Sequence, residues 1–184
     1  LHQEEKQLIK LAVENNRQAQ QQIYAKFSSK MLSVCRQYIK DIHHAEDVMI
    51  TGFMKVFTNL KNFEHKGSFE GWIRRIMVYE CIDFLRVKKN NFNHQDIEDV
   101  TISENESVYE MEDFSVDDIQ NMIDNLPDGY KMVFNLYAIE GYKHQEIAEM
   151  LKISEGTSKS QLSHARKLLQ QQITDLKNKL NGTK

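Results

Sequence analysis

One segment constrains the fold more than any other. Residues 141–169 read GYKHQEIAEMLKISEGTSKSQLSHARKLL. The string HQEIAEML has the apolar spacing of a short helix, and KIS makes a tight connection. A second helical pattern follows, with Ser158, Leu162, Ala165 and Leu169 on one stripe. Two helices joined this closely form a helix-turn-helix, whose second helix can enter a DNA major groove. Ser154 suits the N-cap of that helix, and Glu155 in its first turn suits the positive end of the helix dipole.

If the stripe faces a core, a rotation of about 100° per residue puts Gly156, Thr157, Ser160, Ser163, His164 and Lys167 on the opposite face. Lys159, Gln161 and Arg166 flank it. Such residues can reach base edges, and the basic flanks can hold phosphates. A solvated helix face has the same composition; the preceding helix and turn are what favour DNA.

The rest of the chain reads as helical too. One Pro and 7 Gly in 184 residues leave few breakers. Hydrophobic content of 40% and 28% charged residues fit a soluble globular protein. No apolar run is long enough to span a membrane, and LHQEEKQ has neither the basic nor the apolar region of a secretory signal, so a cytoplasmic location is expected. Cys35 and Cys81 are isolated, with no CxxC, which predicts reduced, buried thiols.

Net charge of −3 is unusual for a DNA partner, but it hides a partition. Residues 1–89 hold 15 Lys+Arg against 10 Asp+Glu, a net of +5. Residues 90–130 hold 12 Asp+Glu and no Lys or Arg, a net of −12. Residues 131–184 hold 9 against 5, a net of +4. Two mildly basic modules therefore flank an acidic middle.

Periodicity supports the same division. Leu8, Ile9, Ala12 and Val13 give a first helix over 3–16, and Ile23, Phe27, Met31, Cys35 and Ile39 a second over 18–40. Asp41–His44 reads as a connection, Ala45–Leu60 as a helix, Lys61–Ser68 as a loop and Phe69–Val87 as a helix. Residues 90–112 lose the pattern and gain Asn, Ser and acids, which marks a linker. Order resumes at Ser115, a good N-cap, with Val116, Ile119, Met122, Ile123 and Leu126 on one face. Pro127 suits the first turn of a helix over Tyr130–Ile139 that Gly141 ends. The tail after Gln170 reads as a polar helix that frays. The expected fold is all-α: two small helical domains, 1–89 and 115–184, joined by an acidic flexible linker, 90–114, with a helix-turn-helix in the C-terminal domain.

The detailed strings do more than the pattern. Glu146-Ile147-Ala148, Leu151, Ile153, Gly156-Thr157, Lys159-Ser160 and Ala165-Arg166, opened by Leu126-Pro127 and Val133-Phe134, resemble the upstream-element reader of bacterial sigma factors. The likeness is greatest to the extracytoplasmic-function (ECF) class of the sigma-70 family. Ala45-Glu46-Asp47-Val48 and Phe53-Met54-Lys55-Val56-Phe57 resemble the family segment that grips the polymerase. Phe69, Gly71-Trp72-Ile73, Arg75-Ile76 and Asp83-Phe84-Leu85-Arg86 resemble its downstream-element helix. The resemblance covers about 18–88 and 115–170.

The resemblance implies a sigma factor that binds core RNA polymerase, through the clamp helices of the largest subunit and the flap, and docks on promoter DNA. Polymerase contact would fall to Glu46, Asp47, Val48, Phe53, Lys55 and Phe57. The acid pair Glu46-Asp47 equally suits a helix N-terminus. The downstream (−10) strand would meet His65, Lys66, Ser68, Arg74, Arg75, Tyr79, Arg86 and Lys88, with the Glu64–Ser68 loop taking a flipped base. The upstream (−35) duplex would meet Thr157, Lys159, Ser160, Gln161, Ser163, His164, Arg166 and Lys167. Trp72 is expected in the core, since Phe69, Ile73 and Ile76 share its face. An anti-sigma factor is an implied partner. The acidic linker would mimic nucleic acid in the polymerase channels, shield the basic modules, or act as a solubilising spacer.

No enzyme, cofactor or small-molecule substrate is expected. No P-loop, GxSxG or HExxH is present, and His43-His44 with Glu46 and Asp47 matches no strong metal-ligand spacing. A dimeric helix-turn-helix regulator and a helical module that binds a protein without DNA are the other readings the sequence permits. Steep weakening by salt distinguishes DNA binding from the latter.

Overall fold

A computed structural model describes residues 3–91 and 115–181, with side chains over 3–87 and 115–179. The described residues fall into two compact units, divided after Asn91, and all their regular structure is helical. None of the described helices is long and apolar enough to cross a membrane.

The first unit comprises α1 (Gln3–Val13), α2 (Arg17–Tyr38), α3 (Ile42–Asn59) and α4 (Phe69–Asn91), with a short 3-10 turn at Leu60–Asn62. The α2 helix starts where the Asn16 side chain accepts a bond from the Ala19 N–H, 3.0 Å. It buries Ile23, Phe27, Met31 and Cys35 of the i, i+4 row read from the sequence, with Ala19 one turn earlier, and the row's last member, Ile39, is its buried C-cap residue. Residues 41–44 are not a connection. Asp41 caps α3, its carboxylate accepting from the His44 N–H at 3.0 Å, so the helix begins three residues early, at Ile42. That backbone bond, assisted by the charge of His44, holds the Asp41 carboxyl below its usual range.

Helices α2, α3 and α4 pack around Phe27, Met31, Phe53, Val56, Phe69, Ile73 and Met77, all buried. Gly52 makes room for this: a Cβ there would press on Met77 Sδ. Lys30 ties α2 to the first turn of α4 through Glu70, 2.9 Å. Cys35 and Cys81 are both buried, and neither is in a disulfide. The α4 helix runs on to Asn91, so the first two residues assigned to the linker complete it. The remainder, 92–114, lies outside the described residues.

The second unit comprises α5 (Val116–Asp124), α6 (Asp128–Phe134), α7 (His144–Leu151) and α8 (Glu155–Asn181), with a π-helical turn at Asn135–Ile139. Ser115 caps α5 in a reciprocal box: its Oγ accepts from the Asp118 N–H and Asp118 Oδ2 accepts from the Ser115 N–H, each 3.1 Å. The Ser115 hydroxyl and N–H together hold the Asp118 carboxyl below its usual range. Met122, Ile123 and Leu126 are buried as expected, but Val116 is 83% exposed because it lies in the first turn, beyond the packed face. Pro127 stands at the cap, one position before α6. Gly141, at φ +78°, ends the π turn. The tail of α8 is helical to Asn181, and near its start Gln172 Nε2 donates to the Met122 carbonyl of α5, 3.3 Å.

Candidate nucleic-acid and protein interfaces

The helix-turn-helix forms where the sequence put it. The chain leaves α7 through Lys152, in the left-handed region at φ +56°. The Ile153 N–H bonds back to the Ala148 carbonyl, 3.1 Å. Ser154 Oγ then accepts from the Thr157 N–H, 2.9 Å, and bonds the Thr157 hydroxyl, 2.8 Å. Thr157 is thereby committed to the cap. Ser158, Leu162 and Ala165 are buried as the stripe predicted; Leu169 is half-buried.

The outward face is rotated from the expected one. Gly156, Lys159, Ser160, Ser163 and Arg166 are exposed. Gln161, His164 and Lys167 are half-buried, on the flank that α6 approaches. The His164 ring stacks on Tyr130, 5.5 Å between centroids, and the Gln161 carboxamide lies beside Gly129. Both side chains are thus in contact with α6. Lys159 pairs with Glu155 one turn back, 2.6 Å; the lysine holds the Glu155 carboxyl below its usual range. Ser160, Ser163 and Arg166 are left as the outward polar groups of the middle turns.

On α3, two of the expected contact residues face inward. Val48 is 6% and Phe53 2% exposed, and both serve the core because they share a stripe with Ala45, Met49 and Val56. Phe57 is half-buried and stacks on Phe53. Lys55 Nζ lies 2.5 Å from Glu80 Oε1, a carboxylate almost wholly buried on α4, so this lysine balances a charge inside the unit. Glu46 is half-buried and Asp47 exposed. The contact residues expected on α3 did not include Ile42, Ile50 or Met54. With Glu46 they form an i, i+4 row on the outside of α3, Ile50 49% and Met54 66% exposed. An exposed apolar stripe thus lies beside the acid pair Glu46-Asp47.

The segment between α3 and α4 carries two left-handed residues, His65 at φ +56° and Gly67 at φ +83°. His65, Lys66 and Ser68 are exposed. The His65 ring meets the edge of Phe63, 4.8 Å, Lys66 pairs with Glu64, 2.6 Å, and Ser68 Oγ caps α4 by accepting from the Gly71 N–H, 3.0 Å. Trp72 is half-buried, at the edge of the core against Phe63 and Phe69. Arg75 and Tyr79 are exposed on one stripe of α4, the guanidinium 5.9 Å from the ring centroid. Arg74 and Arg86 are half-buried, and Arg86 pairs with Asp83 at 3.0 Å. The Lys88 side chain lies outside the described residues.

Residues 116–169 match the family model described as Sigma-70, region 4, and residues 23–91 match Sigma-70 region 2. The chain is similar to the ECF RNA polymerase sigma factor SigW of Bacillus subtilis, 29% identical, over 93% of this chain and 97% of SigW. It is also similar to the ECF RNA polymerase sigma-E factor of Haemophilus influenzae, 23% identical, over 92% and 95%. Among solved structures, its fold is shared with the Bartonella quintana sigma factor RpoE, in complex with the anti-sigma factor NepR. There the TM-score is 0.54 with 19% identity, over 84% of this chain and 96% of that one. CnrH in complex with the cytosolic domain of CnrY gives a TM-score of 0.50 with 18% identity, over 91% and 96%.

Proposed function

The chain belongs to the sigma-70 family as an ECF RNA polymerase sigma factor, and from that premise we propose how it works. It docks on core RNA polymerase through the outer face of α3. Ile50 and Met54 supply apolar contact there, and Asp47 supplies charge. It lays α8 against an upstream (−35) duplex through Lys159, Ser160, Ser163 and Arg166. It takes a base of the melted downstream (−10) strand at the His65–Ser68 loop, with Arg75 and Tyr79 beside it. No hydrolysis is required: melting is driven by the binding free energy of the captured strand. The protein works in the cytoplasm, where polymerase and promoters are, and an anti-sigma factor holds it in reserve; the solved RpoE structure, in complex with the anti-sigma factor NepR, supports such a partner.

The observation that carries this reading is the coincidence of two matched segments with two folded units. Each unit bears an exposed face of the right chemistry. The test is co-migration of the purified chain with core RNA polymerase on a sizing column, followed by transcription from promoters selected by the complex. Stable one-to-one binding and selective initiation are expected. Asp47→Arg should weaken polymerase binding without loss of fold. A folded chain that ignores polymerase and binds duplex DNA as a dimer would replace this reading with that of an ordinary regulator.

A further inference from the structure

Arg166 lies exposed on the outward face of α8. Its guanidinium stands 5.7 Å from the centroid of the Tyr137 ring, within the range of cation–π attraction. The Tyr137 ring in turn stacks on the His144 ring, 4.6 Å between centroids and 23° between planes. His144 Nδ1 shares a 2.9 Å hydrogen bond with Ser158 Oγ, and Ser158 is fully buried. Tyr137 belongs to the π turn, His144 opens α7, and Ser158 sits in the core face of α8. Three elements therefore converge behind one cation.

An exposed arginine loses rotamer freedom when it binds, and that loss subtracts from affinity. A ring that holds the guanidinium beforehand reduces the loss. It also leaves the charge intact, whereas a carboxylate partner would not. Lys159, two turns earlier, shows the contrast: it is paired with Glu155. We propose that Tyr137 is a positioning residue that preorganises Arg166 to clamp a phosphate of the bound duplex, His144 and Ser158 fixing the tyrosine ring. This rests on α8 being the duplex-facing helix.

The test uses holoenzyme assembled from the full chain and bacterial core polymerase. The probe is a fluorescein-labelled duplex selected from a random-sequence pool by the unaltered holoenzyme. Affinity is measured across a salt series, and the melting temperature of each free variant is recorded. Arg166→Ala should weaken binding evenly across base-pair substitutions and reduce the slope of log affinity against log salt by about one. Tyr137→Ala should weaken binding about two- to fivefold with the slope kept, while Tyr137→Phe binds as the parent does. In the Arg166→Ala background, Tyr137→Ala should change nothing further. Equal losses in both backgrounds would overturn the positioning role. Loss of discrimination at one base pair, or no effect of Arg166→Ala, would overturn the phosphate clamp and leave α8 as the reading helix. An unaltered holoenzyme that selects no duplex would overturn both.

Discussion

Gly52 permits α3 and α4 to pack, and the permission is narrow. A single methyl at this position collides with the Met77 thioether, and Met77 is itself fully buried. We expect Gly52→Ala to destabilise the first unit by up to about 2 kcal/mol, overpacking at the Met77 thioether outweighing about 1 kcal/mol gained in helix propensity, read as a lower denaturant midpoint with an unchanged slope. The caps make a second case. Asp118 titrates below its usual range because Ser115 bonds the charged form. The stabilisation it brings is therefore present above the ordinary aspartate range and is lost as pH falls through the lowered value. In Ser115→Ala, an NMR titration should find the Asp118 midpoint moved back up. Ser115 and Ser154 were legible as caps from sequence, since a serine before an apolar-periodic run has few other local uses. The inward turn of Val48 and Phe53 was harder to read. The α3 helix carries apolar residues on both sides, and composition does not say which stripe meets the core.

Among elements, α3 tests the docking reading most directly. Met54→Glu, alone or with Ile50→Glu, places charge on a face that the unit does not use for its own core. The melting temperature should hold, surface exchanges of this kind costing within about 0.5 kcal/mol. Polymerase affinity, measured by titration of labelled chain, should fall at least tenfold; an unchanged value would move the docking site elsewhere. The helix-turn-helix itself was read correctly, α7 residue for residue, because the apolar spacing, the short connection and the Ser154 cap agree locally. The rotation of α8 was not. Sequence periodicity assumes burial symmetric about the apolar stripe, whereas α6 covers one flank and occupies Gln161 and His164. Nor could a 3.6-residue period anticipate the π turn at Asn135–Ile139 that carries Tyr137 to Arg166.

At the scale of the whole molecule, charge is the quantity to perturb. The +5 and +4 modules are separated by a stretch of −12, much of it outside the described residues. If that stretch shields the modules, replacing Glu104, Glu106, Glu110 and Glu112 by Gln should raise duplex binding by the free chain at low salt, read by fluorescence anisotropy. Unchanged binding would leave channel mimicry or a plain spacer. Finally, α3 divides its circumference between a buried stripe and an outward one, with only Glu46 and Phe57 half-buried between them. On the proposed docking face of that helix, a change of side chain therefore asks little of stability. A population of such chains can diversify what it recognises by exchanging outward side chains, and reach new specificities along paths on which every intermediate still folds.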